Sequence, residues 1–348
     1  MAGYEIGDYK FQIGEFFPIE LMEMITELRA SGKAPEIIEK EAKSRKRRKK
    51  LTYDGMLTIL ASDHPARRVT SVMDDPVAMG DRQEYLGRVL RVITSPGFDG
   101  VMGTTDVIED LLLVQHLLRK ADGHAFLDDK VILGCMNRGG LSGAVFEMDD
   151  RMTSFTAERI HKLGLDAAKL MFRICDDDVH SVDTIEYCAK AITELNRYNL
   201  YSFLEVLAVE KVDGKFKVKK EADALIKAVG VAAALGDSSA RIWLKIPYCD
   251  GYERVARATT APILMLGGES KGDPTPLMEQ FHMGLNAGGN VRGALVGRNI
   301  LFPGMDDPRA VAMAVSEIVH EGIKAEEAIK IMNENRGRDI DALTKYFS

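Results

Sequence analysis

The 348-residue sequence is poor in cysteine, and its cysteines are not spaced for metal binding or cross-linking. Of the four, Cys135, Cys175, Cys188 and Cys249, no two form a C-x-x-C pair. Neither a cysteine-based zinc site nor a disulfide framework is indicated, and free thiols are typical of a reducing cytoplasm. None of the seven histidines forms an H-x-H or H-x-x-x-H pair, which also argues against a metal site.

Long apolar runs and an excess of positive charge are missing as well. No stretch reaches the roughly 18 apolar residues that a membrane-spanning helix needs. The N-terminus lacks the apolar segment of a signal peptide. A formal net charge of -7 argues against a protein that coats nucleic acid or an anionic membrane. We therefore expect a cytoplasmic protein with no nucleic-acid or membrane partner and with no cofactor.

Residues 1–50 differ in pattern from the rest and are expected to form a helical N-terminal extension to a domain that spans residues 51–348. Pro18–Arg29 carries apolar residues at helical spacing, and a second helix is expected from Pro35. That helix leads into residues 43–50, where seven of eight side chains are basic. Such a run indicates a surface for nucleic acid or another polyanion, or else a solvated helix end or subunit contact.

From residue 56 onward, eight short apolar runs alternate with amphipathic helical stretches. The runs are Leu57–Ala61, Gly100–Gly103, Val131–Met136, Ala167–Ile174, Ser202–Val209, Ile242–Ile246, Pro262–Leu266 and Gly293–Val296. The helices expected between them are Gln83–Ile93, Val107–Lys120, Thr156–Leu163, Ser181–Arg197, Glu221–Leu235 and a brief Gly251–Thr259. Alternation of this kind is typical of βαβ units and a parallel sheet. Eight units predict a closed (β/α)8 TIM barrel.

An open, doubly wound sheet is the alternative architecture. It would usually carry a glycine-rich dinucleotide-binding turn after its first strand, whereas Ser62–Arg67 follows the first strand here. Asp307–Glu321 is expected to close the barrel, and residues 324–345 to form a further helix or two.

Lys245 stands near the end of the apolar run Arg241–Tyr248. In a parallel sheet such a run is buried on both faces, so a charged lysine there is costly unless it reaches water or has a lowered pKa. A lysine that is neutral near pH 7 is the nucleophile of Schiff-base chemistry. The alternative is a strand-end lysine that reaches solvent or holds an anion.

Other ionisable residues lie within or at the ends of predicted strands: Asp63, Lys169 and Glu205. The active site of a (β/α)8 barrel lies at the C-terminal ends of its strands, so these groups are expected to meet at one mouth. Side chains two residues apart share a face of a strand, which predicts that Trp243 and Lys245 face the lumen. Two lysines that face one lumen would repel each other, which would lower the pKa of one of them. Glu205 is expected to be their acid–base partner.

Glycine-rich segments follow the last two predicted strands. Gly267 and Gly268 follow the seventh, and Gly297-Arg298-Asn299 follows the eighth. Many such barrels bind phosphate at these two loops, where glycines let the backbone approach an anion. Arg298 could add a bidentate contact. Asn299, together with Arg138 after the third strand, completes the set expected to bind substrate or phosphate.

At these positions the sequence resembles the class I, Schiff-base aldolases of the archaeal-type fructose-bisphosphate and tagatose-1,6-bisphosphate groups, over roughly residues 56–320. The resemblance implies that Lys245 in LKIPY is the Schiff-base lysine and that Glu205 in FLEVL is the acid–base group. It pairs Lys169 in AAKLMF with the tagatose group's strand-4 lysine, and Asp63 with the strand-1 aspartate. The glycine segments match the phosphate loops. No tyrosine follows Glu205, which departs from the archaeal-type pattern.

The Asp-His-Pro-Ala-Arg segment and the N-terminal helices are more similar to an aldolase-like branch associated with inositol catabolism. That branch implies cleavage of 2-deoxy-5-keto-gluconate 6-phosphate to dihydroxyacetone phosphate and malonate semialdehyde. The alternatives are a tagatose- or fructose-bisphosphate aldolase, a non-catalytic sugar-phosphate-binding barrel, or another barrel enzyme such as a phosphosugar isomerase. A homo-oligomer with the N-terminal helices as contact is expected.

Two assignments stay open at the level of sequence. Some Schiff-base barrels place the lysine on strand 4, so Lys169 and Lys245 could exchange roles. Asp176, Asp177 and Asp178 with His180 could bind a metal or form a solvated turn and helix cap. The absence of paired histidines argues against a zinc-dependent class II aldolase.

Overall fold

The computed structural model describes Tyr4 and residues 6–347. Within this part of the chain, eight parallel strands form a closed ring. The strands are β1 (Leu57–Ser62), β2 (Gly100–Gly103), β3 (Val131–Cys135), β4 (Ala167–Ile174), β5 (Tyr201–Val212), β7 (Ile242–Pro247), β8 (Ile263–Leu266) and β9 (Val291–Val296), with β6 (Lys215–Val218) outside the ring. Around the ring the order follows the chain, and pairing of β1 with β9 closes it. The predicted (β/α)8 barrel is confirmed.

Alternation along the strands divides the apolar side chains between two cores. One face of each strand packs in the lumen, where Phe203 stacks on Trp243 with ring centroids 5.5 Å apart. The other face packs against the surrounding helices and includes Leu204, Leu244 and Ile246. The predicted placement of Trp243 and Lys245 on one face is therefore confirmed, and the lumen below the mouth is filled by side chains.

The helices surround the strands. They are α1 (Ile13–Phe16), α2 (Ile19–Ala30), α3 (Ala34–Ser44), α4 (Arg82–Ile93), α5 (Thr105–Lys120), α6 (Ala157–Lys162), α7 (His180–Arg197), α8 (Ala222–Ala232), α9 (Tyr252–Ala256), α10 (Thr275–Leu285), α11 (Arg298–Leu301), α12 (Pro308–Glu321), α13 (Ala325–Asn335) and α14 (Thr344–Phe347). Among the described residues, none of these helices is long and apolar enough to cross a lipid bilayer.

Helices α1 to α3 pack on the barrel helices α4 and α5. The basic run that follows α3 lies at the N-terminal ends of the strands and is tied there by buried ion pairs. Arg45 is 5% exposed and donates to Asp166, which immediately precedes β4. Arg48 donates to Asp99 just before β2, with 2.8 Å between Nη2 and Oδ1. Arg45 differs from the expected solvated end or polyanion surface, because the carboxylate of Asp166 lies against it. The other bases of the run are exposed, apart from the half-buried Arg48. The division of the chain at residue 50 stays a prediction.

A β-hairpin that the sequence analysis did not predict extends β5 beyond the ring. β5 runs on to Val212 and pairs antiparallel with β6 through the turn at Asp213 and Gly214. Both turn residues have positive φ, 51° and 77°, as a two-residue type I′ turn requires. The helix expected at Gly251–Thr259 is shorter, Tyr252–Ala256, because the chain must return to β8 within a few residues.

Candidate active site

Three ionisable side chains from β4, β5 and β7 meet in the lumen. The carboxylate of Glu205 lies between two ammonium groups, 2.9 Å from Lys245 Nζ and 2.7 Å from Lys169 Nζ. The strand register produces this arrangement, since Glu205 lies opposite Lys245 on one side and opposite Met171, two residues after Lys169, on the other. Both lysines and Glu205 are therefore brought together as the sequence predicted.

Asp63 extends this row on the side of Lys169. Its Oδ2 atom lies 3.0 Å from Lys169 Nζ, and the guanidinium of Arg138 forms an ion pair with the same oxygen. The thiol of Cys135 approaches Asp63 Oδ2 to 3.6 Å. Lys169 is thus held by two carboxylates, whereas the only carboxylate within ion-pair distance of Lys245 among the described residues is Glu205.

Burial and mutual charge change the proton affinities in this row. Burial lowers the pKa of Lys245 to about 8, against the opposing charge of Glu205 and with help from Lys169. Burial and the neighbouring Arg138 lower the pKa of Lys169 to about 8. Burial alone would raise the pKa of Glu205, but the two ammonium groups hold it well below its usual range. A sizeable fraction of neutral amine is therefore present near pH 8.

The two lysines differ in their access to the barrel mouth. Lys245 lines a cavity of about 190 Å³ that opens at the C-terminal ends of the strands. Lys169 has no exposed surface and is not among the residues that line this cavity. Asp63 and Glu205 also line it. A ligand carbonyl in the cavity would meet the amine of Lys245 before that of Lys169.

The hairpin forms an apolar roof over this cavity. Phe216 and Val218 from β6, with Leu207 and Val209 from β5, line its outer part. Burial by these side chains reduces water at the mouth, and it strengthens the electrostatic interactions inside.

The predicted phosphate-binding residues that follow β8 and β9 differ in their contacts. Arg298 lines the cavity, and its buried Nε has no hydrogen-bond partner among the described residues. Asn299 instead uses its amide to bond the carbonyl of Gly267, with 2.6 Å between Nδ2 and O, and so joins the two loops. Gly267 and Gly268 form the loop after β8, and Gly268 has φ +75°.

Gly297 must be a glycine for a packing reason. A Cβ atom there would lie 2.6 Å from the carbonyl oxygen of Ala61 and 2.3 Å from the ring of His64. This close approach brings the ends of β9 and β1 together at the mouth. Arg138 does not line the cavity and contacts Asp63 instead.

Sequence reasoning missed three basic residues that line the cavity: His64, Arg67 and Arg173. Arg173 had a usable signal, because it follows Lys169 and Met171 at intervals of two on β4 and so shares their lumen face. Arg67 had none, since it lies in a turn after β1 and its guanidinium reaches across to the carbonyl of Gly140. Burial and the charge of Arg298 lower the pKa of His64 well below its usual range.

The aspartates after β4 form a turn that leads into α7. Asp178 Oδ1 accepts from the His180 amide at 3.0 Å, as a helix-start turn does. Elsewhere on this surface Asp149, His180 and Asp183 place possible ligand atoms within 4.8 Å of one another. His180 bonds Asp183 and Asp149 bonds Arg151, so these groups already have protein partners.

The chain is similar to proteins of known structure. A crystal structure of Cgl0159 from Corynebacterium glutamicum is similar, with 38% identity, 88% of this chain and 99% of that chain covered, and a TM-score of 0.81. An archaeal fructose 1,6-bisphosphate aldolase shares the fold at 21% identity, covering 77% and 95% of the two chains with a TM-score of 0.54.

An "uncharacterized aldolase" of Saccharolobus solfataricus is 29% identical over 142 residues, which is 40% of this chain. The chain spans about half the length of this curated relative, 48%. The Cgl0159-like family profile matches residues 55–319, a stretch that contains the whole barrel and all of the candidate site. The chain belongs to the Cgl0159-like family.

Proposed function

We propose that this protein is a class I aldolase that cleaves a phosphorylated ketose or keto-sugar acid through a Schiff base on Lys245. The observation that carries the proposal is the buried row of Lys245, Glu205 and Lys169, in which Lys245, unlike Lys169, lines the mouth cavity. A buried lysine with a lowered pKa supplies the neutral amine that adds to a carbonyl.

In the first step Lys245 Nζ adds to the ketose carbonyl carbon. The resulting carbinolamine loses its hydroxyl as water, for which Glu205 or Lys169 delivers the proton, and an iminium ion forms. Glu205 lies 2.9 Å from Nζ and can take the amine proton directly. Lys169, held by Asp63 and Glu205, keeps a positive charge beside Glu205 and returns protons to it.

In the second step a base removes the proton from the hydroxyl two carbons away from the iminium carbon. The O–H electron pair forms the aldehyde C=O, the adjacent C–C bond breaks, and its electrons move into the iminium to give an enamine. Protonation of the enamine carbon and addition of water then release the ketone product and restore the Lys245 amine. Glu205 is the group within reach of Nζ for these transfers.

For the substrate, we propose 2-deoxy-5-keto-gluconate 6-phosphate, with dihydroxyacetone phosphate and malonate semialdehyde as products. The resemblance of the Asp-His-Pro-Ala-Arg segment supports this choice, and the unpartnered Nε of Arg298 beside the glycine loops supports a phosphate there. Tagatose or fructose bisphosphate is the alternative substrate, because the archaeal fructose-bisphosphate aldolase has the same fold.

Borohydride trapping tests the proposal. The protein is incubated with each of a panel of ketose phosphates and reduced, and the adduct is located by peptide mapping. We expect a stable secondary amine on the peptide that bears Lys245, and aldol cleavage of the ketose that gives it. The matched control is Lys169→Met, which should still form the adduct on Lys245. An adduct on Lys169 would refute the assignment, and the absence of any adduct would refute the class I mechanism.

A further inference from the structure

The mechanism above leaves two buried arginines of the mouth cavity without a role. Arg67 donates from Nε and Nη2 to the carbonyl of Gly140, at 3.0 and 2.8 Å. Arg173 donates from Nη1 to Glu147 at 2.7 Å and also bonds the Glu147 carbonyl. Each guanidinium has one nitrogen 3.8 Å from Asp150 Oδ2, so the two arginines lie side by side around this carboxylate.

These partners satisfy Arg67, whose third nitrogen bonds the sulfur of Met171, but they leave one nitrogen of Arg173 unpaired. Arg173 is 5% exposed, and its buried Nε has no hydrogen-bond partner among the described residues. Buried donors without a partner are rare in folded proteins, so one beside a cavity indicates a position where a group from outside the chain can bind. Glu147 and Asp150 balance the two positive charges, which explains how both arginines stay buried when no ligand is bound.

The order of the eight strands places Arg173 on the side of the barrel opposite Arg298. Strand β4, which carries Arg173, lies four places from β9 in the eight-strand ring, and Arg298 follows β9. The guanidinium of Arg67 reaches to the β3–β4 side through Gly140. Lys245 stands on β7, between these two sides. All four side chains line the same cavity.

Arg173 lies nearer the opening of the mouth than Glu205 and Lys245 do. In the β4–β5 register it is opposite Leu207, whereas Met171 is opposite Glu205. It is therefore one lumen layer, or about 6.6 Å, further toward the opening than Glu205 and Lys245. A ligand that reaches from Arg298 past Lys245 would meet Arg173 and Arg67 with its far end.

We propose that Arg67 and Arg173 form a second anion subsite, which binds a carboxylate or phosphate at the end of the substrate remote from Arg298. The inference rests on the proposed function and adds to it the residues that bind the second anion of the proposed substrates. Planar guanidinium groups suit both anions, because they donate two parallel hydrogen bonds to a pair of oxygens. A monophosphate with an uncharged far end would leave Arg173 Nε unpaired.

Equilibrium binding of ligands without a carbonyl tests the subsite, because they cannot form a Schiff base. The probes are glucitol 6-phosphate with one anion, gluconate 6-phosphate with an added carboxylate, and glucitol 1,6-bisphosphate with an added phosphate. By calorimetry on the unmodified protein, we expect at least one two-anion ligand to bind about tenfold or more tightly than glucitol 6-phosphate. The tighter of the two identifies the anion.

Arg173→Gln should abolish that preference and leave the affinity for glucitol 6-phosphate within about twofold. Arg298→Gln is the matched control and should weaken all three ligands. If Arg173→Gln does not fold, it is replaced by the double variant Arg173→Gln/Glu147→Gln, which removes both partners of the ion pair and leaves no unpaired charge. Loss of the preference in that variant gives the same support.

Equal binding of all three ligands to the unmodified protein would overturn the subsite. So would a two-anion preference that persists in the Arg173 variant. Failure of the proposed aldolase would appear differently, as an absence of borohydride adducts while the preference for two anions remains.

Discussion

The two ends of the barrel both bury charge, and they do so in different ways. At the N-terminal end, His320 bonds Asp54 through Nδ1 and Asp99 through Nε2, at 2.6 and 3.0 Å. Asp99 also accepts from Arg48 and from the Thr58 amide. Among these groups, the Nε of Arg48 is the buried atom without a partner. Nearly every charged group named here forms an ion pair or hydrogen bond with another segment of the chain.

At the C-terminal mouth the charges are only partly satisfied. The nitrogens His64 Nδ1, Arg173 Nε and Arg298 Nε are buried and have no hydrogen-bond partner in the part of the chain that the structure describes, and all three residues line one cavity. Two lysines there have lowered pKa values, whereas His320 at the other end has a raised one. Burial of charge alone therefore does not identify a site. Several unpaired nitrogens around one cavity are the better indication, because they need partners that the fold does not supply.

The largest effect is expected at the mouth. Lys245→Met should reduce aldol cleavage by a thousandfold or more, as loss of a covalent nucleophile does, and abolish the borohydride adduct. Lys169→Met should reduce kcat by about 10²–10⁴-fold, as loss of an acid–base partner does, and keep the adduct. Steady-state kinetics and trapping on the same preparations separate the two. Retention of the adduct in Lys245→Met would contradict the assignment.

At the opposite end the effect should be on stability. Arg45→Leu removes one partner of Asp166, which keeps Arg47 and the Ile132 amide, and should lower the free energy of unfolding by about 1–3 kcal/mol. Urea unfolding measures it. Lys49→Leu, an exposed base four residues further, is the matched control, with an expected change within about 0.5 kcal/mol. The kcat of the folded Arg45→Leu protein should be unchanged. A large loss of kcat would contradict the view that the N-terminal end contributes to stability and the C-terminal mouth to catalysis.

The mouth should also have its own pH dependence. Only the neutral amine of Lys245 adds to a carbonyl, and its pKa is lowered to about 8. The rate of adduct formation should therefore rise roughly tenfold from pH 7 to 9 and level off above, with an apparent pKa that belongs to the coupled pair. Stopped-time trapping with a simple ketone measures it. A rate that keeps rising to pH 10.5 would show an unperturbed lysine.

The smallest effect is expected at His320. Burial by itself lowers the pKa of His320, but hydrogen bonds to Asp99 and Asp54 raise it to about 9. A raised folded-state pKa stabilises the protein below about pH 6.5, and this stabilisation is lost as the pH rises through 9. After solvent screening, His320→Gln should cost about 1–2 kcal/mol at pH 6 and almost nothing at pH 10. Melting temperatures across this range test it. A constant difference would show that packing, and not charge, is responsible.

Much of the mouth could be predicted from local pattern. Eight apolar runs gave the barrel, and alternation within them put Lys169, Glu205 and Lys245 on the lumen face. The hairpin turn at Asp213-Gly214 carried a usable signal that went unnoticed, since Asp-Gly between β-favouring residues is typical of a type I′ turn. Arg173 could have been found from its spacing.

The rest depends on pairs that are distant in sequence. Nothing around Arg45 reveals Asp166, and nothing around His320 reveals Asp99, because each pair forms only when the ring closes. A basic run therefore looks the same in sequence whether it faces solvent or a buried carboxylate. Arg67 is similar, since its guanidinium is aimed by a turn whose direction local propensities do not determine.

The hairpin of β5 and β6 has a consequence for how this barrel can diversify. Its root is held by β4 and β7 on either side of Glu205, while its tip is a two-residue turn beyond the ring. Changes of length or sequence at the tip would alter the roof at Phe216 and Val218 without moving Glu205. Under the proposed function, the side chains that cover the substrate and the carboxylate that moves its protons therefore lie on separate parts of one strand, and the first can change in sequence while the second stays in place.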